Sequence, residues 1–333
     1  MTTAVRVAYT LEQCWHRVPG GTATAALDVA RVLAARTDVE LVGVAGRHAS
    51  PPTKAFAPPV PVQQLPLAAP WLYEGWLRAG WPRVERATGA VDVAHATTII
   101  PCPSRAPLVV TLHDLAFLHD PAHFTAHGVR VFRRSLDIIR RRAALVLCSS
   151  GATMADAADA GIGVDRLRHV PLGVDARPVA DGEAERVRTA FGLPDRFVLF
   201  VGTVEPRKNL ERLAAAVQQL PEPLPLVVAG ATGWGDVNVA GDVRFLGFVA
   251  DTDLRALYAA ATVFCYPSLR EGFGLPVLEA MAQGTPVVTS SGTSTEEVAG
   301  GAAVLVNPTD IADIARGVAD ALRDASQLAV AGR

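Results

Sequence analysis

Aromatic residues are scarce in this sequence, at 6% of 333 positions, and only four residues are cysteine. Cys14, Cys102, Cys148 and Cys265 form no C-x-x-C pair. Cys148 and Cys265 sit in apolar runs and read as small core residues, which fits a reducing, cytosolic compartment. Long hydrophobic runs are missing too: none would span a bilayer, and the opening MTTAVRVAYT has no signal-peptide core. Nor is there an excess of either charge. A formal net charge of −2 argues against a general nucleic-acid binder. What the chain does have is apolar mass, at 50% hydrophobic against 19% charged. That excludes overall disorder, and the length suffices for two domains of ordinary size.

One stretch organises the rest. Residues 267–286 read PSLREGFGLPVLEAMAQGTP, with Glu271 and Glu279 separated by seven residues. Pro276 suits the start of a helix, because its fixed φ fits there and its missing N–H is not needed. Gly284 and Pro286 supply a stop, so a short helix is expected from about Pro276 to Gln283. Its entry loop holds Gly272, Phe273, Gly274 and Leu275. Free N–H groups and the positive end of the dipole make such an entry a phosphate seat. Glu271 stands at the mouth. Glu279, about one turn in, has two acceptor oxygens for a vicinal diol such as a ribose. Phosphate, ribose and a further polyhydroxyl group together suggest a nucleotide sugar.

The run EGFGLPVLEAMAQGTPVV resembles the signature of retaining family-4 glycosyltransferases of the GT-B fold. The match includes both glutamates, both glycines, the Leu-Pro pair and the Gly-x-Pro-Val-Val strand entry. The resemblance covers nearly the whole chain and is strongest over 197–308. It implies an α/β protein of two Rossmann-like, doubly wound domains facing each other across a cleft. The expected boundaries are 1–175 for an acceptor-side domain, 176–185 for a linker and 186–333 for a nucleotide-sugar domain. A final helix crossing back to the first domain is usual in the family and is not expected here.

The first half opens as βαβ. Ala4–Tyr9 and Val39–Val44 read as strands around the helix TATAALDVARVLAAR. Gly20-Gly21 before that helix lacks G-x-G-x-x-G spacing, so a dinucleotide fingerprint is absent. By resemblance, Gly20 and Gly21 approach the donor phosphates and the acceptor. Residues 48–70 are proline-rich and read as loop. Residues 70–86 carry Trp71, Tyr73, Trp76 and Trp81 among Arg78, Arg83 and Arg86. A helix packing its aromatics inward is expected there, with an acceptor-binding or membrane-touching surface as the alternative. Leu108–Leu112 is a buried strand that delivers His113-Asp114 at its C-terminal end, where sites in parallel sheets lie. By resemblance, His113 is the active-site histidine. His119, His123 and His127 recur every four residues, but Pro121 interrupts them and no fourth ligand is apparent. Residues 129–142, VRVFRRSLDIIRRR, read as an amphipathic helix with a basic face.

In the second half, the strand Phe197–Val201 runs into GTVEPRKN. Adjacent Arg207 and Lys208 at a strand end form an anion site. The resemblance makes them the cations that neutralise a departing diphosphate, with Thr203 in the same donor loop and Phe248 near the base. Asp251-x-Asp253 has metal-ligand spacing but precedes a helix, where Asp serves as N-cap. No catalytic metal and no cofactor are expected. The expected catalytic set is His113, Arg207, Lys208 and Glu271. The expected partners are a nucleotide-sugar donor, of GDP-mannose type with UDP-sugars close, and a saccharide or lipid-linked acceptor, with no nucleic acid. A sugar-nucleotide hydrolase or epimerase on the same fold, or a non-catalytic nucleotide-sugar binder, stands as the alternative. The location expected is the cytoplasm, with the inner membrane face as an option.

Overall fold

A computed structural model describes residues 4–231, 233, 237 and 239–333. The chain divides into two compact units, Met1–Pro171 and Leu172–Arg333. Each is built on one all-parallel sheet.

In the first unit the strands are β1 (Val5–Thr10), β2 (Val39–Ala45), β3 (Val62–Gln64), β4 (Val93–Ala96), β5 (Leu108–Leu112), β6 (Ala143–Cys148) and β7 (Leu167–His169). Their order is β3-β2-β1-β4-β5-β6-β7. In the second they are β8 (Val198–Val201), β9 (Leu226–Ala229), β10 (Val243–Gly247), β11 (Val263–Tyr266), β12 (Val287–Ser290) and β13 (Val304–Val306), ordered β10-β9-β8-β11-β12-β13. In both sheets the chain winds outward one way from the first strand, returns, and winds the other way. The switch falls between β1 and β4 in one unit and between β8 and β11 in the other. At such a point loops part and leave a crevice at the carboxyl ends of the strands.

The sequence explains the elements. β8, β9 and β11 are buried along their whole length, so they read as apolar runs rather than alternation. Helices lie against them through their apolar stripes, as Ile314, Val318 and Ala321 do on the helix Ile311–Arg323. Each unit draws its core from its own residues: Phe197, Phe200, Tyr258 and Phe264 in the second, Leu72, Trp76, Phe117 and Ile139 in the first.

Some expectations change. β3 lies within the proline-rich stretch taken as loop; it is a three-residue edge strand paired to β2. β13 also goes beyond the strands expected. Of the aromatics in 70–86, Trp76 is buried, but Trp71 is 70% and Trp81 47% exposed, so the inward-packing reading holds only in part. Asp251 and Asp253 lie inside the first turn of the helix Asp251–Ala260, whose N-cap is Ala250, so neither caps it through its side chain. Asp253 instead holds Arg186 at 2.6 Å. The segment expected as a linker is tied to the second unit: Val179 N donates to Gln283 Oε1 at 3.1 Å, and Gln283 Nε2 donates to Arg177 O at 3.3 Å. An eight-residue helix, Ala325–Gly332, ends the chain and packs on Met281. Among the described residues, no helix is long and apolar enough to cross a membrane.

Candidate functional site

The loops leaving β8 and β11 meet at the switch point of the second sheet. The β8 loop makes a single 3-10 turn, Pro206–Lys208, closed by Asn209 at φ 61°. Asparagine tolerates that left-handed conformation better than most side chains. Its amide then fastens the turn, donating to the carbonyls of Pro267 at 2.9 Å and Pro308 at 2.6 Å. Leu269 N donates to Arg207 O at 3.0 Å, a second tie between the loops.

This scaffold brings four charged groups together. Lys208 Nζ lies 2.7 Å from Glu271 Oε1, and Arg207 Nη1 lies 3.0 Å from Glu271 Oε2. Arg207 Nη2 also reaches Glu205 Oε1 at 2.7 Å. The side chain of Glu271 is only 9% exposed. Burial alone would raise its pKa, but the charges of Arg207 and Lys208 outweigh burial and hold it down at about 2. Burial pushes Glu205 upward and Lys208 downward. Glu271 is therefore the firmly ionised carboxylate of the group. Tyr266 accepts a hydrogen bond from Lys208, so two of the three ammonium donors are engaged. Glu205 and Glu271 hold the two cations in place, an arrangement suited to electrostatic stabilisation.

Beside this cluster the helix Leu275–Ala282 begins at Gly274, whose φ is 110°. A Cβ there would sit 2.7 Å from Thr295 Cγ2, so glycine is required for both its conformation and its closeness to the next helix. The first N–H groups of a helix have no intrahelical partner, and the dipole's positive end adds to the anion seat. Glu279 lies one turn along, where Tyr258 donates to its Oε2 at 2.7 Å. Tyr258 packs edge-on to Phe264, and Phe264 stacks on Tyr266 with centroids 5.7 Å apart. A buried aromatic row thus links the tyrosine that holds Glu279 to the tyrosine that holds Lys208. Tyr258, Tyr266, Glu205 and Asn209 were not read as site residues. Glu205 and Asn209 stand inside the quoted GTVEPRKN, and Tyr266 immediately precedes the organising stretch. Thr203 is half-buried after β8, and Phe248, 61% exposed, follows β10. Gly272 and Phe273 are buried in the entry loop, and Leu275 is half-buried.

In the first unit, His113 follows β5. Its Nε2 lies 3.0 Å from the carbonyl of Thr97. A carbonyl only accepts, so Nε2 carries the proton and Nδ1 is left as an acceptor. Burial lowers the His113 pKa and favours this neutral form, partly offset by the Thr97 carbonyl and Asp114. Thr97 stands just past β4 at the switch point and is held by Thr10 and by Gln13 Nε2 at 2.7 Å. Gly20 and Gly21 open the helix Gly20–Ala34, with Gly20 at φ 63° and open space around it. His119 does not join His123 and His127 but pairs with Asp156 at 2.8 Å. No cluster of three or more His, Cys, Asp or Glu fit for a metal occurs among the described residues.

Residues 181–332 match the family model "Glycosyl transferases group 1", and residues 19–177 match "Glycosyltransferase Family 4". The O-antigen chain mannosyltransferase B of Escherichia coli is 36% identical over 235 residues, covering 66% of this chain and 62% of that protein. The serotype-specific mannosyltransferase WbdA of Escherichia coli is 34% identical over 248 residues, covering 68% of this chain and 29% of that protein. The chain thus spans less than two thirds of the length of these relatives. The crystal structure of Anabaena Alr3699/HepE in complex with UDP and glucose superposes with a TM-score of 0.74 at 21% identity, over 98% of this chain and 92% of that one. That likeness shows the two-sheet GT-B fold. With both of its halves matched, the chain belongs to the group 1 glycosyltransferases and carries a family 4 glycosyltransferase domain in its N-terminal half.

Proposed function

We propose that the chain is a retaining hexosyltransferase that moves mannose from a GDP-mannose-type donor to a hydroxyl of a saccharide or lipid-linked acceptor. The observation that carries this reading is the Arg207–Lys208–Glu271 cluster at the foot of the helix Leu275–Ala282. It is an anion seat with a diol acceptor, Glu279, one helical turn away. Mannose is favoured because the two curated relatives described above are named mannosyltransferases.

In this scheme Arg207 and Lys208, with the helix N-terminus, bind the diphosphate and stabilise charge as it leaves. Glu279 accepts from the ribose hydroxyls. Glu271 keeps both cations in place, and each of its oxygens retains acceptor capacity for a sugar hydroxyl. His113 is assigned a hydrogen bond to the transferred sugar by its resemblance to the family histidine. The bond from the anomeric carbon to the phosphate oxygen breaks as the bond to the acceptor oxygen forms on the same face. The acceptor proton passes to the departing phosphate, so no enzyme nucleophile and no metal ion are invoked.

The test is a donor panel of GDP-mannose and UDP-sugars with saccharide acceptors, followed by nuclear magnetic resonance of the product's anomeric centre. Retention with GDP-mannose is expected. Inversion would sink the mechanism, and a preference for a UDP-sugar would sink the donor. Lys208→Ala should lower kcat by about 10²- to 10³-fold, the scale for losing one preorganised charge-stabilising donor. Free sugar released without an acceptor, as fast as transfer, would instead indicate a hydrolase.

A further inference from the structure

The single turn that leaves β1 buries two polar side chains. Glu12 and Gln13, in the 3-10 turn Glu12–Trp15, are each 2% exposed. Burying such groups costs free energy unless hydrogen bonds replace the lost water. The turn finds those bonds on both sides of β1. On the β2 side, Gly46 N donates to Glu12 Oε2 at 2.6 Å, and His48 Nε2 lies 3.1 Å from the same oxygen. Trp15 Nε1 donates to Ser50 O at 2.9 Å, and its ring stacks on His48 with centroids 4.6 Å apart. Glycine suits position 46, where a Cβ would lie 2.7 Å from Leu67 O and 3.1 Å from Glu12 Oε2. Glu12 Oε1 is buried with no hydrogen-bond partner among the described residues, so the carboxyl is kept here at a cost.

On the β4 side the partner is Thr97. Its hydroxyl donates to Thr10 O at 2.6 Å, which spends its one proton. The hydroxyl oxygen is then an acceptor, and Gln13 Nε2 donates to it at 2.7 Å. Thr97 N donates to Thr10 Oγ1 at 3.0 Å. Thr97 is thereby clamped through its N–H and its hydroxyl, which fixes the direction of its carbonyl. That carbonyl accepts from His113 Nε2 at 3.0 Å. The backbone of His113 is fixed separately, because Ser149 Oγ and Thr153 Oγ1 donate to its carbonyl at 3.1 and 3.3 Å. With the strand order β2-β1-β4-β5, these bonds run as one tie across the carboxyl ends of four neighbouring strands. Apolar groups of the same shape would fill the space of Gln13 and the Thr97 hydroxyl at little cost in stability. What the polar pair adds is a fixed direction for the acceptor that holds His113.

We propose that Gln13 and Thr97 are positioning residues that lock the His113 imidazole in its Nε2-protonated form, with Glu12 and Trp15 anchoring the turn that presents Gln13. The bearing of this lock on transfer rests on the role proposed above for His113.

Nitrogen NMR of the full chain, carrying isotope-labelled histidine, tests the lock, with the His113 signals assigned by their loss in His113→Gln. Protonated and bare ring nitrogens resonate far apart, and a ring exchanging between tautomers gives intermediate positions. The parent protein at neutral pH should show one fixed Nε2–H form. Gln13→Met and Thr97→Val keep side-chain shape and drop the bonds. Each should move both His113 signals toward intermediate positions and lower kcat about 2- to 10-fold, the scale of one neutral hydrogen bond, with the donor KM changed less. Thr97→Ser restores the hydroxyl and should return signals and kcat to those of the parent. Thermal midpoints separate loss of folding from loss of position, and Gln13→Met carries the test if Thr97→Val does not fold. An Nδ1-protonated or exchanging ring in the parent would overturn the proposal. So would parental His113 signals in the folded Gln13→Met variant. Full transfer by His113→Gln would instead overturn the role given to His113 in the reaction, and the ring signals would still decide the lock.

Discussion

Replacing Glu271 with glutamine removes the one charge that Arg207 and Lys208 share. Both cations are largely buried, so neither can recover its lost partner from water. Breaking a buried pair from one side costs roughly 3–5 kcal/mol, more than the pair itself is worth. Glu271→Gln should therefore lower the unfolding free energy by that order in urea titrations and abolish donor binding as well. A variant of parental stability would mean that the cluster is better solvated than its burial indicates. Tyr258→Phe is a gentler probe. It deletes only the hydroxyl that orients Glu279. A hydrogen bond to a charged acceptor is worth about 1.5–3 kcal/mol, so the donor KM should rise about tenfold or more with kcat little changed. A fall in kcat at constant KM would instead place Tyr258 in the chemical step. His95 supplies a pH dependence. Burial, with a smaller push from neighbouring His113, lowers its pKa from 6.5 to about 4. The unfolded chain thus takes up this proton first as pH falls. The stabilisation is complete above pH 6.5 and is lost on the way down to about 4, on the order of 3 kcal/mol. Unfolding free energies measured from pH 7 to 4 should fall with a slope that flattens in His95→Gln.

At the scale of the element, Gly274 ties sequence to site most directly. Alanine there would adopt φ 110° and meet Thr295 Cγ2 at 2.7 Å. Strain at such a position costs roughly 1–3 kcal/mol before the clash is counted. Gly300 gives the comparison, with φ 55° and nothing within 4 Å of a built Cβ. Gly274→Ala should destabilise clearly more than Gly300→Ala in urea, and only the former should weaken nucleotide binding. Equal effects would show that the entry loop relaxes freely. This helix was legible from its punctuation, because proline and glycine act locally. So was β8, since a strand buried on both faces is an unbroken apolar run. β3 was not legible: Gln63 and Gln64 are exposed, and only pairing with β2 makes the segment a strand. The same limit applies to the site. Glu271, Arg207 and Lys208 could be named from two loops, but the sequence could not show that one carboxylate holds both cations. Nor could it show Tyr258 and Tyr266 joined through Phe264, a contact made by packing rather than spacing.

For the whole molecule, the repeated topology has a consequence. Both sheets are all-parallel and both switch direction beside their first strand. Each unit buries its own aromatic and aliphatic core. The second unit, Leu172–Arg333, has 162 residues by its bounds, within the usual size of a self-sufficient domain. It also contains the charged side chains of the proposed donor site: Arg207, Lys208, Glu271 and Glu279. Expressed alone, it should unfold in one cooperative transition and still bind GDP, as read by calorimetry. Transfer should be lost, because His113 and Gly20–Gly21 belong to the other unit. Retained folding without GDP binding would move part of the nucleotide seat to the first unit. Failure to fold, with the full chain stable under the same conditions, would mean that the second core needs the first to form. Conversely, GDP binding by the isolated unit that disappears in Glu271→Gln would locate the anion seat on the β8 and β11 loops alone.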